Sequence, residues 1–382
     1  MSDDLLLPAG ARLVHIGPQK TGTTSIQVAL SEARDEMAAH GAWYPTGPYR
    51  RRKAGWALGL PGAHGDVSMQ DWDDLVAEVR AAGDVRACIS DEGYARAESP
   101  VAEKIVRELG DERVHVVAVA RRLDRFLPSQ WQERVKSGMA KSYADWLAVV
   151  LGDEPAWERW NVWQGHDIGG LVERWLEFVD PERFTLVISD ESDREQLSRT
   201  FEELLGLPGG MLRSRRDPKR SNESVSWSEL EVLRALHGVF GENGWSREEY
   251  RATLRQIVYS LRAHPEQAFG PRTVPMPDWA TDRVSAISDQ LVEKIQRLPV
   301  RVVGDPEQMR VAPASVSPDA GDQALGLPPG LVAAAVEGAV RAERKRTARM
   351  LKQATHPPAT DLDGRELVRL LGQRISRRVR GT

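Results

Sequence analysis

The sequence predicts a three-layer α/β/α fold around a central parallel sheet, followed by a helical C-terminal extension. Short apolar runs rich in β-branched residues recur along the chain, and most of them end in Gly, Ser or Asp. Helical patterns lie between them, the alternation expected of parallel strands joined by crossover helices. The runs are almost continuously hydrophobic rather than alternating, as strands covered on both faces must be.

Taken in order, "RLVHIG" (12–17) is the first strand. A helix begins near Gly22, with Ile26, Leu30, Ala33 and Met37 on one face. Helical patterns cover 70–82, 100–109, 125–137, 170–179 and 193–205, and strands fall at 85–90, 114–120 and 184–190. Two further helical stretches, 227–262 and 280–297, precede a last strand, "VRVVGD" (300–305). The predicted α/β domain therefore spans 1–310. Residues 311–330, rich in Pro, Gly, Ala and Ser, read as a linker. Residues 331–382 form a basic amphipathic helical tail, with Leu367, Leu371, Ile375 and Val379 on one stripe among arginines. No internal repeat is present.

With 382 residues, 41% hydrophobic and 28% charged, the composition is that of a globular domain with a sizeable core. The single cysteine, Cys88, excludes an intramolecular disulfide framework and a Cys-based zinc site. No run approaches the roughly 20 apolar residues of a membrane span, and "MSDDLLLPAGARL" lacks the basic start of a signal peptide. A cytoplasmic protein without a transmembrane segment is expected. From Arg341 onward there are 12 Lys/Arg against 4 Asp/Glu, whereas the remaining chain carries 40 against 52. An acidic body argues against a nucleic-acid-binding core. The basic tail reads as packing on its own domain or a second subunit, or as a peripheral contact with a partner or anionic surface.

"HIGPQKTGTTSIQ" (15–27) places a Gly-containing loop between the first strand and the first helix. N–H groups at a helix start have no intrahelical partner and favour an anion there. Gly17 and Gly22 have the spacing of a nucleotide-triphosphate loop, but Thr23 stands where its lysine belongs, and Lys20 lies two residues upstream of Gly22. A P-loop kinase or NTPase is therefore the lesser alternative.

The stretch "PQKTGTTSIQ" instead resembles the 5′-phosphosulfate loop of the sulfotransferases, close to P-K-[ST]-G-T-T, through Lys20, Thr21, Gly22, Thr23 and Thr24. A second match follows "VHVVAVA": Arg121 and Ser129 have the family's R-x₇-S spacing, read as a strand end and a helix start. The resemblance covers roughly residues 10 to 310, is sharp only at 17–27 and 121–129, and points to the bacterial enzymes. It implies the donor 3′-phosphoadenosine-5′-phosphosulfate (PAPS), with PAP as product and no metal. Gly17, Gln19, Thr21, Gly22, Thr23 and Thr24 would cradle the 5′-phosphate, with Lys20 at the bridging oxygen. Arg121 and Ser129 would grip the 3′-phosphate, by a charge-assisted fork and a hydroxyl bond. Arg216, Lys219 and Arg220 lie where the family often places a basic loop over that phosphate, although its R-K-G triplet is absent. Arg122 and Arg125 read as a solvated basic face.

Transfer to an acceptor also needs a base. "CISDEGY" puts Asp91 and Glu92 at the carboxyl end of a strand, where open α/β sheets bind ligands, and many bacterial relatives carry a similar S-x-E there. Glu92 is the preferred base, Asp91 an alternative, and His64 in "PGAHGD" the rival. His15 reads as structural. Trp43 and Tyr44 could wall a pocket, and Trp157, Trp160 and Trp163 have the spacing of one helix face. The expected reaction is sulfuryl transfer to a hydroxyl or amine of a carbohydrate, lipid or small molecule. A non-catalytic PAP- or PAPS-binding relative remains the other alternative.

Overall fold

The computed structural model describes residues 5–45, 48–62, 65–213, 226–244, 246–262, 276–313 and 329–355. His64, Arg216, Lys219 and Arg220, most of the linker, and the tail beyond Thr355 lie outside the described residues. Six strands are present: β1 (Arg12–Gly17), β2 (Ala42–Trp43), β3 (Arg86–Ser90), β4 (Val114–Ala120), β5 (Phe184–Ile188) and β6 (Arg301–Val303). All neighbours run parallel, in the order β2-β3-β1-β4-β5-β6.

The helices, in chain order, are α1 (Thr23–Ala38), α2 (Pro48–Ala57), α3 (Met69–Ala81), α4 (Ser99–Leu109), α5 (Leu123–Lys136), α6 (Tyr143–Leu151) and α7 (Trp157–His166). They continue with α8 (Ile168–Trp175), α9 (Gln196–Leu205), α10 (Trp227–Glu242), α11 (Arg247–Arg262), α12 (Asp278–Arg297) and α13 (Pro329–Thr355).

Strand side chains alternate between two cores, as a period-2 chain with both faces covered requires. Val14, Ile16, Ile89, Val116, Phe184 and Leu186 pack with α3, α4, α8 and α12 on one face. Leu13, Cys88, Val117, Val119 and Val187 pack with α1 and α9 on the other. The predicted three-layer α/β/α fold is the observed one, and the C-terminal region is helical at α13.

The chain forms two compact units. The first, Met1–Glu133, Lys141–Glu223 and Val274–Gln323, holds the sheet and both cores. The second, Arg134–Ala140, Ser224–Thr273 and Ala324–Thr382, contains α10, α11 and α13. Within it the His237 ring meets the Val135 carbonyl at 2.6 Å and stands edge-on to Tyr250.

Candidate functional site

Parallel strands all end on the same side of the sheet, so the loops after β1, β3, β4 and β5 gather there. The loop Gly17–Gly22 leaves β1 and enters α1 at Thr23. Gly17, Lys20 and Gly22 all have positive φ, at +85°, +65° and +94°. The first has a second reason to be glycine: a Cβ there would lie 3.0 Å from the Glu92 Cα. Lys20 holds a left-handed conformation that a non-glycine residue adopts at a cost. The Arg121 Nη1 donates to its carbonyl at 2.9 Å. Inside the loop, the Thr21 and Thr23 hydroxyls both donate to the Pro18 carbonyl, at 2.7 and 3.1 Å. These two hydroxyls tie the loop to itself. Ser25 and Ile26 already bond back to the Gly22 carbonyl, while Thr24 is exposed on the first turn. The N-terminal end of a helix, with its positive dipole, faces outward here.

Arg121 follows β4, the strand beside β1, and so reaches the first loop directly. Its other donors form a fork on Glu191, Nε to Oε1 at 2.5 Å and Nη2 to Oε2 at 3.0 Å. Ser129 lies in the body of α5 rather than at a helix start, because the helix already begins at Leu123. One turn further on, Glu133 accepts from the Lys20 ammonium at 2.9 Å. Arg122 pairs with Asp124 through both oxygens, and Arg125 is half-exposed.

β3 delivers the two acids. The buried Asp91 caps the turn that follows, its Oδ1 accepting from the Gly93 N–H at 2.7 Å. Its own N–H donates to the His15 carbonyl. Glu92 starts the 3₁₀ turn Glu92–Arg96, with its backbone against Gly17. That turn is pinned from outside the sheet. Arg96 donates to the Asn161 side chain at 2.5 Å, and Arg174 donates to the carbonyls of Ala95 and Gln164.

Three residues near these groups carry no motif. Glu133 is four residues beyond Ser129, on the same helix face, and that spacing is the one local signal that could have found it. Glu191 sits 70 residues from its arginine, and no local pattern announces it. His166, the last residue of α7, stacks on Phe126 with centroids 3.5 Å apart and is hydrogen-bonded to the Gln19 backbone. Of the aromatics, Tyr44 is in the core, whereas Trp157 and Trp160 are substantially exposed on α7.

Burial pushes His15 and His166 down to about 3. Burial, with Arg301 and Arg183 adding, pushes His115 down to about 4. These imidazoles are neutral in the folded protein, and an unfolded chain protonates them below about pH 6.5. The unfolded state therefore binds more protons as pH falls from about 6.5 towards 3, and stability is lost over that window. Each fully buried histidine is expected to cost on the order of 2 kcal/mol by pH 5, measurable by urea unfolding at pH 7 and pH 5. His166→Gln should reduce the difference. A pH-independent midpoint would mean that these rings titrate in the folded protein as they do in the unfolded chain.

Among the described residues no group of three or more His, Cys, Asp or Glu is placed to hold a metal ion. Among them, too, no helix is long and apolar enough to cross a membrane.

No family model and no curated protein matches the chain. Among solved structures, the crystal structure of a sulfotransferase from Alicyclobacillus acidocaldarius is similar, at 15% identity and a TM-score of 0.39. The likeness covers 63% of this chain and 98% of that one.

Proposed function

We propose that this chain is a sulfotransferase that moves the sulfuryl group of PAPS to a hydroxyl or amine of a carbohydrate, lipid or small-molecule acceptor. One observation carries the reading: the Arg121 guanidinium donates to the Lys20 carbonyl at 2.9 Å. Two loops that the sequence matches to opposite ends of one nucleotide are thus in contact, although 101 residues separate them. The residues present suit such a ligand: a helix N-terminus with Thr24 at its exposed first turn, one ammonium, and one guanidinium.

In this reading the amides from Gln19 to Thr24 hold the 5′-phosphate, and Thr21 and Thr23 keep the loop in shape for it. Gly17 lets the turn approach Glu92. Arg121, with Ser129 and Arg220, serves the 3′-phosphate. Bound there, PAPS supplies a monoanionic sulfonate whose in-line transfer between oxygens needs positioning and charge stabilisation rather than a metal ion. Lys20 leaves Glu133 to neutralise charge on the departing phosphate oxygen. Glu92 takes the acceptor's proton. Asp91 is the weaker choice for that role, since its Oδ1 is engaged in capping the turn. His64 remains the rival.

Thermal unfolding with adenosine 3′,5′-bisphosphate, 5′-AMP and Mg·ATP tests the reading. At 100 times its dissociation constant a ligand adds about 2.7 kcal/mol, a shift of several degrees. A shift with the bisphosphate alone, lost in Arg121→Ala, is expected. A shift with Mg·ATP instead would favour an NTPase or kinase, and no shift at all would overturn the nucleotide site.

A further inference from the structure

The cations assigned to the donor are both engaged by carboxylates of the chain itself. Lys20 is held by Glu133, and Arg121 is held more tightly by Glu191. The second pair is built rather than incidental. Glu191 lies in the loop from β5 to α9, and that loop has its own framework. The Ser192 N–H and hydroxyl both donate to Asp190 Oδ1, at 2.8 and 2.5 Å. The Gln196 side chain bridges the loop's base, accepting from the Asp190 N–H and donating to the Ile188 carbonyl. The Ser189 N–H bonds the carbonyl of Ala120, the residue before Arg121. Glu191 is thereby presented to the arginine from the neighbouring strand end.

The chemistry of the fork decides what this means. Arg121 presents Nε and Nη2 to Glu191, the edge that recognises a carboxylate or a phosphate in bidentate fashion. Its remaining nitrogen, Nη1, is committed to the Lys20 carbonyl. A phosphate arriving at Arg121 finds its edge already taken. Burial pushes the Glu191 carboxyl up, but hydrogen bonding and charge from Arg121, with Arg125 and Arg122 adding, bring it below its ordinary value. The competitor is charged at neutral pH.

Building on the donor-site reading above, we propose that Glu191 is a tethered stand-in for the ligand's 3′-phosphate. It holds Arg121 in the resting site, gives way when that phosphate binds, and takes the arginine back when the product leaves. Glu191 then limits affinity for nucleotides that carry a 3′-phosphate and leaves those without one unaffected. The tether makes its local concentration high, so the effect persists at any protein concentration.

The test is calorimetric titration of wild type, Glu191→Gln and Glu191→Ala with adenosine 3′,5′-bisphosphate and with 5′-AMP. Removing the charge of a partly exposed bidentate pair should tighten the bisphosphate about three- to tenfold in both variants. Affinity for 5′-AMP should be unchanged, so the ratio between the two ligands widens. If wild type prefers the bisphosphate and the variants bind it no more tightly, the stand-in role is overturned and the donor site survives. Equal tightening of both nucleotides would also overturn it, since a general change of field is then responsible. If wild type shows no preference for the bisphosphate, the donor site itself fails and the stand-in role fails with it.

Discussion

Lys20→Ala is expected to lower kcat by about 10²–10³-fold, the usual loss when one donor to a developing oxyanion is removed. Affinity for adenosine 3′,5′-bisphosphate should change far less. Lys20 is already satisfied by Glu133 at 2.9 Å in the resting site, so in the proposed role its contact with the ground-state ligand replaces one ion pair by another. What it gains is charge that appears only as the bond to the leaving oxygen breaks. Single-turnover kinetics alongside a binding titration would separate the two effects. Equal losses in rate and affinity would refute the role and leave Lys20 a simple anion contact.

Gly17→Ala is expected to remove about 2 kcal/mol of stability, through two costs acting together. The new Cβ must accept φ of +85°, and it must sit 3.0 Å from the Glu92 Cα, a backbone atom that cannot swing away as a side chain can. Either the loop or the 92–96 turn has to move. With Glu92 as the proposed base, its displacement should lower turnover as well, since a misplacement near 1 Å is costly for groups that act by position. Thermal unfolding should show a fall of several degrees, and kcat should fall beyond what the unfolded fraction explains. Wild-type stability in this variant would mean the contact is slack.

Much of the fold was legible because a parallel sheet writes a strong local signal. β1, β3, β4 and β5 coincide with apolar, β-branched runs whose side chains are covered on both faces. β2 was not read, since two residues at a sheet edge have no periodicity to detect. The 227–262 stretch reads as one helical pattern but is α10 and α11, interrupted after Glu242 near an Asn-Gly pair. The two motif loops were legible as loops at strand ends, and their meeting follows from β1 and β4 being neighbours. Their carboxylate partners were not. Glu133 and Glu191 act across 113 and 70 residues, and single charged residues at such distances leave no mark on the local pattern. Ser129 illustrates the boundary problem: the motif reads it at a helix start, yet α5 begins at Leu123, six residues before it.

The far end of α7 touches both halves of this chemistry at once. A Cβ on Gly165 would lie 3.3 Å from Pro18 of the loop and 3.4 Å from Ala95 of the acidic turn. The neighbouring His166 is bonded to Gln19, and Asn161 takes the guanidinium of Arg96. One helix thus serves as the common abutment for the elements that carry Lys20 and Glu92. Neither can be shifted without the other, so a side chain added at Gly165 would press on the loop and the acidic turn together.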